Sequence, residues 1–116
     1  MEDFNSRCVA AVEKYLEMQG CDILTTNFTE KIDIVAIDAD NNLRFIRVKG
    51  FKRAPQPEDK KMSSKLRAKM EWGMYNYINR YSSYIDISGY LDLALVYAAD
   101  SMDRAFLTYV RDCGIS

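Results

Sequence analysis

The chain has 116 residues, of which 48% are hydrophobic and 12% aromatic, and its formal net charge is -1. This length allows one domain with one modest core, and the apolar content predicts a folded chain rather than a disordered one. The sequence contains no histidine, which excludes Ser-His and Cys-His nucleophile pairs, HExxH metal sites and a histidine general base. Any chemistry here would therefore rest on carboxylates, lysines or a hard metal ion.

Hydropathy and cysteine usage bear on the cellular compartment. No apolar run approaches the roughly 20 residues that cross a bilayer, and the acidic, polar start MEDFNSRC argues against a secretory signal. Cys8, Cys21 and Cys113 lack the CxxC spacing of zinc sites and redox pairs, so we expect reduced, buried thiols. These features predict a cytoplasmic protein that does not contact a membrane.

The first half of the sequence predicts a helix followed by three strands. Apolar residues recur at helical spacing through FNSRCVAAVEKYLEMQG, with Asn5 or Ser6 as the cap and Gly20 as the stop. CDILTTNF predicts a strand, and the strand-like runs KIDIVAID and LRFIRVK flank the turn signal ADNN, as in a β-hairpin. In that hairpin, partners whose numbers sum to about 81 face each other, which places Asp33 opposite residues 47–49.

The second half predicts a long helix and two further strands. After APQP the helix should begin near Glu58, because one apolar stripe contains Met62, Leu66, Met70, Gly73, Met74, Tyr77 and Ile78. YLDLALVYA and RAFLTYVR then predict strands. The order α-β-β-β-α-β-β indicates an α/β fold, with a mixed sheet of about five strands flanked by two main helices.

Positive charge is concentrated in the middle of the sequence. Residues 44–69 carry ten bases and two acids, net +8, whereas residues 1–43 and 70–116 are net -6 and -3. Such a block is expected where a phosphate-bearing partner binds, or on a solvated face opposed by acids. The candidate nucleic-acid-binding residues are Lys52, Arg53, Lys60, Lys61, Lys65, Lys69 and Trp72. Trp72 falls near Lys61 and Lys65 on the predicted helix, where it would stack on an unpaired base or pack.

The predicted hairpin brings one acid to two bases. Alternation puts Arg47 and Lys49 on one face of their strand, and antiparallel pairing places Asp33 beside them. An aspartate on one strand and x-x-Lys on the next resembles the PD-(D/E)XK nuclease fold, which has a restriction-endonuclease-like core.

Within that superfamily the sequence resembles the small bacterial YraN-like family. The similar segments are AVEKYLEMQG, NFTEKIDIVAID, LRFIRVKGFKR, DKKMSSKLRAKMEWGMYNYI and YLDLALVYA, in the order of that family. The resemblance covers nearly the whole chain and implies a single nuclease-like domain over residues 1–116. In such nucleases two acids hold Mg²⁺ or Mn²⁺, and the lysine positions or activates the attacking water.

The resemblance also implies that this active site is degenerate. Asp33 and Lys49 keep the first and last places of the motif, but Arg47 stands where the second acid is expected. Lys31 replaces the glutamate of the family's GEID element, and Glu13 is a substitute ligand only in a different helix register. Asp33 contributes -1 against +2 from the two bases, and a dication about 4 to 5 Å from an uncompensated cation costs several kcal/mol.

Three functions follow as alternatives. The first is a catalytically impaired nuclease-fold protein that binds nucleic acid, DNA rather than RNA, and needs no cofactor. The second is an active endonuclease or Holliday-junction-resolvase-like enzyme, which requires Mg²⁺ or Mn²⁺ at Asp33 and a further ligand from Glu13 or Glu17. The third is a protein-interaction module or homodimer, which the many tyrosines of residues 75–97 favour.

Overall fold

The computed structural model describes residues 3–98 and 104–112. Its main elements are helix α1 (Phe4–Met18), strands β1 (Asp22–Thr26), β2 (Ile34–Ile37) and β3 (Leu43–Phe51), helix α2 (Ser64–Arg80), and strands β4 (Gly89–Tyr97) and β5 (Phe106–Val110). Short 3₁₀ helices, Pro57–Lys60 and Ser82–Tyr84, flank α2. The predicted α/β class, the element order and the mixed five-stranded sheet with two helices are confirmed.

The strands lie in the sheet in their order along the chain. The central strands β3 and β4 are parallel, and every other neighbouring pair is antiparallel. A parallel pair needs a crossover connection, which α2 supplies. In the β2–β3 hairpin, Ile34 pairs with Ile46 and Val35 with Phe45, so the predicted register holds and Asp33 comes opposite Arg47.

The two helices cover opposite faces of the sheet. Cys8, Val12 and Leu16 of α1 pack in one buried cluster with Ile46 and Val48 of β3. A second buried cluster joins α2 to the other face and includes Phe45, Met70, Tyr77, Leu93 and Leu95. Because side chains alternate along a strand, the odd-numbered residues of β3 face α2. The predicted functional residues of β3 therefore lie on the α2 side.

Helix α1 is capped two residues before Asn5, the earlier of the two caps that the sequence predicted. Asp3 is the cap, and its Oδ1 accepts the Ser6 N–H at 2.7 Å, whereas the predicted caps already have helical backbone. Gly20 ends the helix as predicted, with a left-handed φ of +84° that glycine adopts without strain. The Cys21 N–H then donates to the Leu16 carbonyl at 3.0 Å, which closes the last turn.

The prediction that the second helix begins near Glu58 is wrong. Pro57–Lys60 forms a separate 3₁₀ turn, because the Asp59 carboxylate accepts the Gln56 N–H at 2.7 Å and fixes this segment locally. The chain then becomes extended, and α2 starts only at Ser64.

The late start of α2 changes the position of Lys61. Ser63 caps the helix by accepting the Leu66 N–H at 3.1 Å, and Lys61 has extended backbone with φ -110° and ψ 149°. Lys61 therefore precedes α2 and does not share a helix face with Lys65 and Trp72, contrary to the prediction.

The described thiols match the expectation of reduced, buried cysteines. Cys8 and Cys21 are free and buried, and burial raises the pKa of both thiols above the usual value. Cys113 lies outside the described residues. Within residues 3–98 and 104–112, no helix has the length and apolar content that a membrane span requires.

Candidate functional site

Asp33 lies immediately before β2, where its carboxylate extends the β2–β3 ladder. Its Oδ2 accepts the Val48 N–H at 2.7 Å and is 3.3 Å from Nη1 of Arg47. Its own N–H donates to the Ile46 carbonyl at 2.9 Å. The Asp33 carboxylate therefore takes the place of a backbone carbonyl as the acceptor for the Val48 N–H. Asp33 is 6% exposed, so water hardly reaches this hydrogen bond. Removing the carboxylate would leave a buried N–H without an acceptor.

Arg47 fills the space beside this acid. Its Nη1 also donates to the Glu30 carbonyl at 3.2 Å, so one guanidinium joins β3 to the loop of residues 27–33. The pairing of Asp33 with a base of β3, expected from the hairpin, is present. The place beside Asp33, where the motif resemblance leads us to expect a second acid, thus holds a cation.

A pocket of about 320 Å³ opens between β3, the 27–33 loop and the start of α2. Five cations line it together with Ser63 and Leu66: Lys31, Arg47, Lys49, Lys65 and Lys69. We call this space and its five cations the basic pocket. Among the described residues two acids form ion pairs with them, Asp33 with Arg47 and the exposed Glu30 with Lys31, so the five cations and these two acids leave a balance of +3.

Three of the five cations take no part in these two ion pairs. Lys49 extends from β3, and Lys65 and Lys69 lie one turn apart on α2. In the part of the chain that the structure describes, none of the three ammonium groups forms an ion pair. Ser63 caps α2 at the rim, so the positive end of the helix dipole adds to the same field. The basic pocket is therefore suited to binding an anion.

The structure brings only two of the predicted nucleic-acid-binding lysines, Lys65 and Lys69, into this pocket. The ammonium group of Lys52 lies 4.2 Å from the centre of the Phe4 ring of α1. Arg53 donates to the Asp59 carboxylate at 2.9 Å, and this bond is the main cause of the lowered pKa of Asp59.

Lys60 and Lys61 are exposed in the segment before α2. Of the residues that the structure describes, neither these two nor Lys52 and Arg53 line the basic pocket.

Lys31 belongs to the site, although the sequence indicated it only as a lost acid. It precedes Asp33 by two residues, which is the spacing that puts side chains of an extended chain on one face. This two-residue spacing, continued from β2 into the residues before it, was the signal in the sequence that could have identified Lys31. Trp72 of α2 is 69% exposed, so it is not a core residue, and its stacking on a base stays a prediction.

The acids expected to hold a metal do not form a cluster in the described residues. The Glu13 carboxylate accepts a hydrogen bond from the Thr26 hydroxyl at 3.0 Å, while that of Asp33 is bonded to Val48 and Arg47. Residues 3–98 and 104–112 contain no group of three or more acids or cysteines arranged around a common point. Mg²⁺ requires near-octahedral oxygen ligands. One bonded carboxylate beside cations does not fit that ion.

A second polar cluster lies on the α1 side of the sheet. Asp92 of β4 is fully buried, and it accepts hydrogen bonds from Tyr109 at 2.5 Å, the Asp112 N–H at 2.7 Å and Arg44 at 3.3 Å. Arg44 also donates to Asp38 at 3.0 Å. These bonds tie β5 and the β2–β3 turn to the centre of the sheet, which is a structural role.

Burial shifts the titration of this second cluster. It raises the pKa of Asp92, against the hydrogen bonds from Tyr109 and Asp112 that lower it. Burial and the neighbouring Asp92 charge both raise the pKa of Tyr109 well above its ordinary value. Burial also acts to raise the pKa of Asp38, but bonds from Asn42, Arg44 and Asp40 outweigh it and the pKa falls.

The tyrosines of residues 75–97 divide between core and surface. Tyr77 is buried, and burial raises the pKa of its hydroxyl. Tyr75 and Tyr81 are 57% and 43% exposed. The hypothesis of a protein interface or a homodimer therefore depends on these two side chains and stays a prediction.

Comparison of the sequence with protein-family models and with curated proteins finds no match in either set. The motif resemblance to the YraN-like family thus stays a prediction, and the function has to be argued from the site itself.

Proposed function

We propose that this protein is a nuclease-fold protein with a degenerate active site, and that it binds nucleic acid through the phosphate backbone at the basic pocket. One observation carries the proposal. Five cations from the 27–33 loop, β3 and α2 converge on one pocket of about 320 Å³. Three of them, Lys49, Lys65 and Lys69, form no ion pair within residues 3–98 and 104–112.

Convergence of like charges has a cost in the free protein. Two unit charges about 4 Å apart repel by about 4 kcal/mol at the effective dielectric of a protein surface, and less where water intervenes. A solvated helix face would spread its lysines apart, whereas residues distant in the sequence meet here. A polyanion offsets that repulsion, and phosphates contacted in this way give affinity that does not depend on base sequence.

The position of the pocket supports the nuclease part of the proposal. The resemblance assigns Asp33 and Lys49 to the hairpin places of the PD-(D/E)XK motif; Lys49 lines the pocket, and Asp33 contacts Arg47, which lines it too. Arg47 takes the place of the second acid and pairs with the first. DNA is favoured over RNA because of this resemblance. The location we propose is the cytoplasm, since the free thiols Cys8 and Cys21 suit a reducing compartment.

An active Mg²⁺- or Mn²⁺-dependent endonuclease has weaker support, because the donor set around Asp33 does not fit either ion. Incubating plasmid and branched DNA with each metal tests it directly. Cutting that Asp33→Ala abolishes, while circular dichroism shows that the variant is still folded, would establish that alternative in place of ours.

Salt-dependent binding tests the proposal. Fluorescence anisotropy with a labelled DNA should show tight binding at about 50 mM salt and roughly 40-fold weaker binding at about 200 mM, for three phosphate contacts. The double variant Lys65→Ala/Lys69→Ala should bind weakly with a shallow salt slope. Lys14→Ala, which removes an exposed lysine of α1, is the control. Absent binding, or binding that ignores salt, would refute the proposal.

A further inference from the structure

Trp72 continues the basic pocket along α2. Lys65, Lys69 and Trp72 are spaced i, i+4 and i+7, so their side chains lie on one helix face. The axial rise is about 4.5 Å from Lys69 to Trp72 and about 10.5 Å from Lys65. Phosphates of a stacked strand lie about 3.4 Å apart along the axis, so the indole is within about one to three nucleotides of phosphates bound at these lysines.

The indole is exposed, and the helix that carries it packs closely on the 27–33 loop. It is 69% exposed, so a ring face is open to a ligand. The next residue, Gly73, packs so closely on the 27–33 loop that a Cβ there would come within 2.6 Å of Cδ1 of Ile32. This close approach fixes α2 against the loop that carries Lys31. The backbone positions of Trp72 and Lys31 are therefore held at one spacing across the pocket.

We infer that the basic pocket binds single-stranded nucleic acid, or an unpaired stretch of it, with one base stacked on Trp72. The inference rests on the proposed function and specifies its substrate class. In a duplex both faces of each internal base are covered by neighbouring base pairs, so an external indole cannot stack on them. An unpaired base has free faces, and aromatic stacking beside a positively charged groove is the general mode of single-strand binding.

Trp72 is the only tryptophan in the chain, so intrinsic fluorescence reports on this residue alone. The titration uses three DNA ligands of equal length: a single strand of about ten nucleotides, its duplex, and an abasic single strand. The intact single strand should quench the fluorescence and bind most tightly. The abasic strand presents phosphates without bases, so it should bind more weakly and leave the emission nearly unchanged.

Variants separate stacking from charge. Trp72→Ala should weaken single-strand binding by about 5- to 150-fold and leave duplex binding unchanged, whereas Trp72→Phe keeps a ring and most of the affinity. Met18→Ala is the control, because Met18 is 76% exposed on α1, across the sheet from α2, and should change neither affinity.

The outcomes distinguish the two levels of the argument. Salt-sensitive binding that is equal for single strand and duplex, with no quenching, would overturn the inference and leave the proposed function standing. Absence of salt-sensitive binding to any ligand would overturn both. A fluorescence change with protein concentration alone would show that a second copy covers Trp72, and this result would also overturn the inference.

Discussion

Arg47 and Asp33 form an ion pair across the hairpin, with Nη1 of the arginine 3.3 Å from Oδ2 of the aspartate. The same Oδ2 accepts the Val48 N–H, and Asp33 is 6% exposed. Asp33, the acid expected to bind a metal, thus already holds two strands together through these bonds. Changes at Asp33 should consequently act on stability.

Asp33→Ala should lower the free energy of unfolding by about 1.5 to 3 kcal/mol, because a buried N–H and a guanidinium both lose a charged partner. Asp33→Asn keeps an oxygen that can accept the Val48 N–H, so its loss should be smaller. Urea unfolding of the wild type and both variants provides the measurement. Equal losses in the two variants would show that the hydrogen bond to Val48 contributes nothing beyond the charge.

Arg47→Glu should create a weak metal site beside Asp33. The change replaces a cation by a carboxylate, and two adjacent acids attract a divalent ion. We expect Mn²⁺ binding with a dissociation constant of about 1 mM, measured by calorimetry. Arg47→Gln removes the cation without adding an acid and is the matched control. Mn²⁺ binding of equal strength in the wild type would contradict this account of Arg47.

Lys49→Ala and Lys52→Ala should differ in their effect on DNA binding, although the two residues are three apart. Lys49 lines the basic pocket, whereas Lys52 lies over the Phe4 ring of α1. Losing one phosphate contact should flatten the plot of log affinity against log salt by about 0.7 to 0.9 for Lys49→Ala only. Anisotropy titrations at four salt concentrations give the slopes. A similar change for Lys52→Ala would place the binding surface elsewhere.

Tyr109→Phe should cost stability at neutral pH and change the alkaline response. At pH 7 the lost bond to buried Asp92 should cost about 1.5 to 3 kcal/mol. Burial raises the pKa of Tyr109 above its ordinary 10.0, so the folded protein keeps a proton that the unfolded chain releases. This contribution is present below pH 10 and is lost as the pH rises above it, by up to about 1.4 kcal/mol per pH unit.

Denaturant unfolding between pH 8 and pH 11 measures this effect. The decline in stability above pH 10 should be shallower in Tyr109→Phe than in the wild type. Tyr75→Phe, which removes an exposed hydroxyl, should follow the wild-type curve. An identical alkaline decline in Tyr109→Phe would show that Tyr109 does not carry the effect.

Local patterns in the sequence were sufficient to predict most of the fold. Alternation and the ADNN turn located the hairpin and placed Asp33 beside Arg47, since a short turn fixes the register of two neighbouring strands. The start of α2 was mispredicted because the Asp59 side chain, bonded to Gln56, competes with the helix locally. A stripe of apolar spacing carries no information about such a bond.

Features that depend on distant segments were not predictable in the same way. Arg44 belonged to the basic block in sequence, yet it is 5% exposed and pairs with Asp92. That pair depends on the parallel register of β3 and β4, which pairs Ile46 with Asp92. The basic pocket likewise combines segments that meet only after α2 packs on the sheet, so charge counting found Lys49, Lys65 and Lys69 but neither Lys31 nor the arrangement.

The parallel pairing of β3 and β4 has a consequence for how the chain folds. These strands cannot pair step by step outward from a short turn, because residues 52–88 separate them. The ends of this long connection must come together first. The hairpin and the helices can form early from local contacts. The β3–β4 ladder can form only after α2 has crossed over the sheet. Lys49 lies before that crossover and Lys65 and Lys69 lie within it, so the positive charges are gathered only as the core closes. Nascent and partly folded chains would therefore lack the concentrated charge with which the finished protein would hold a nucleic acid.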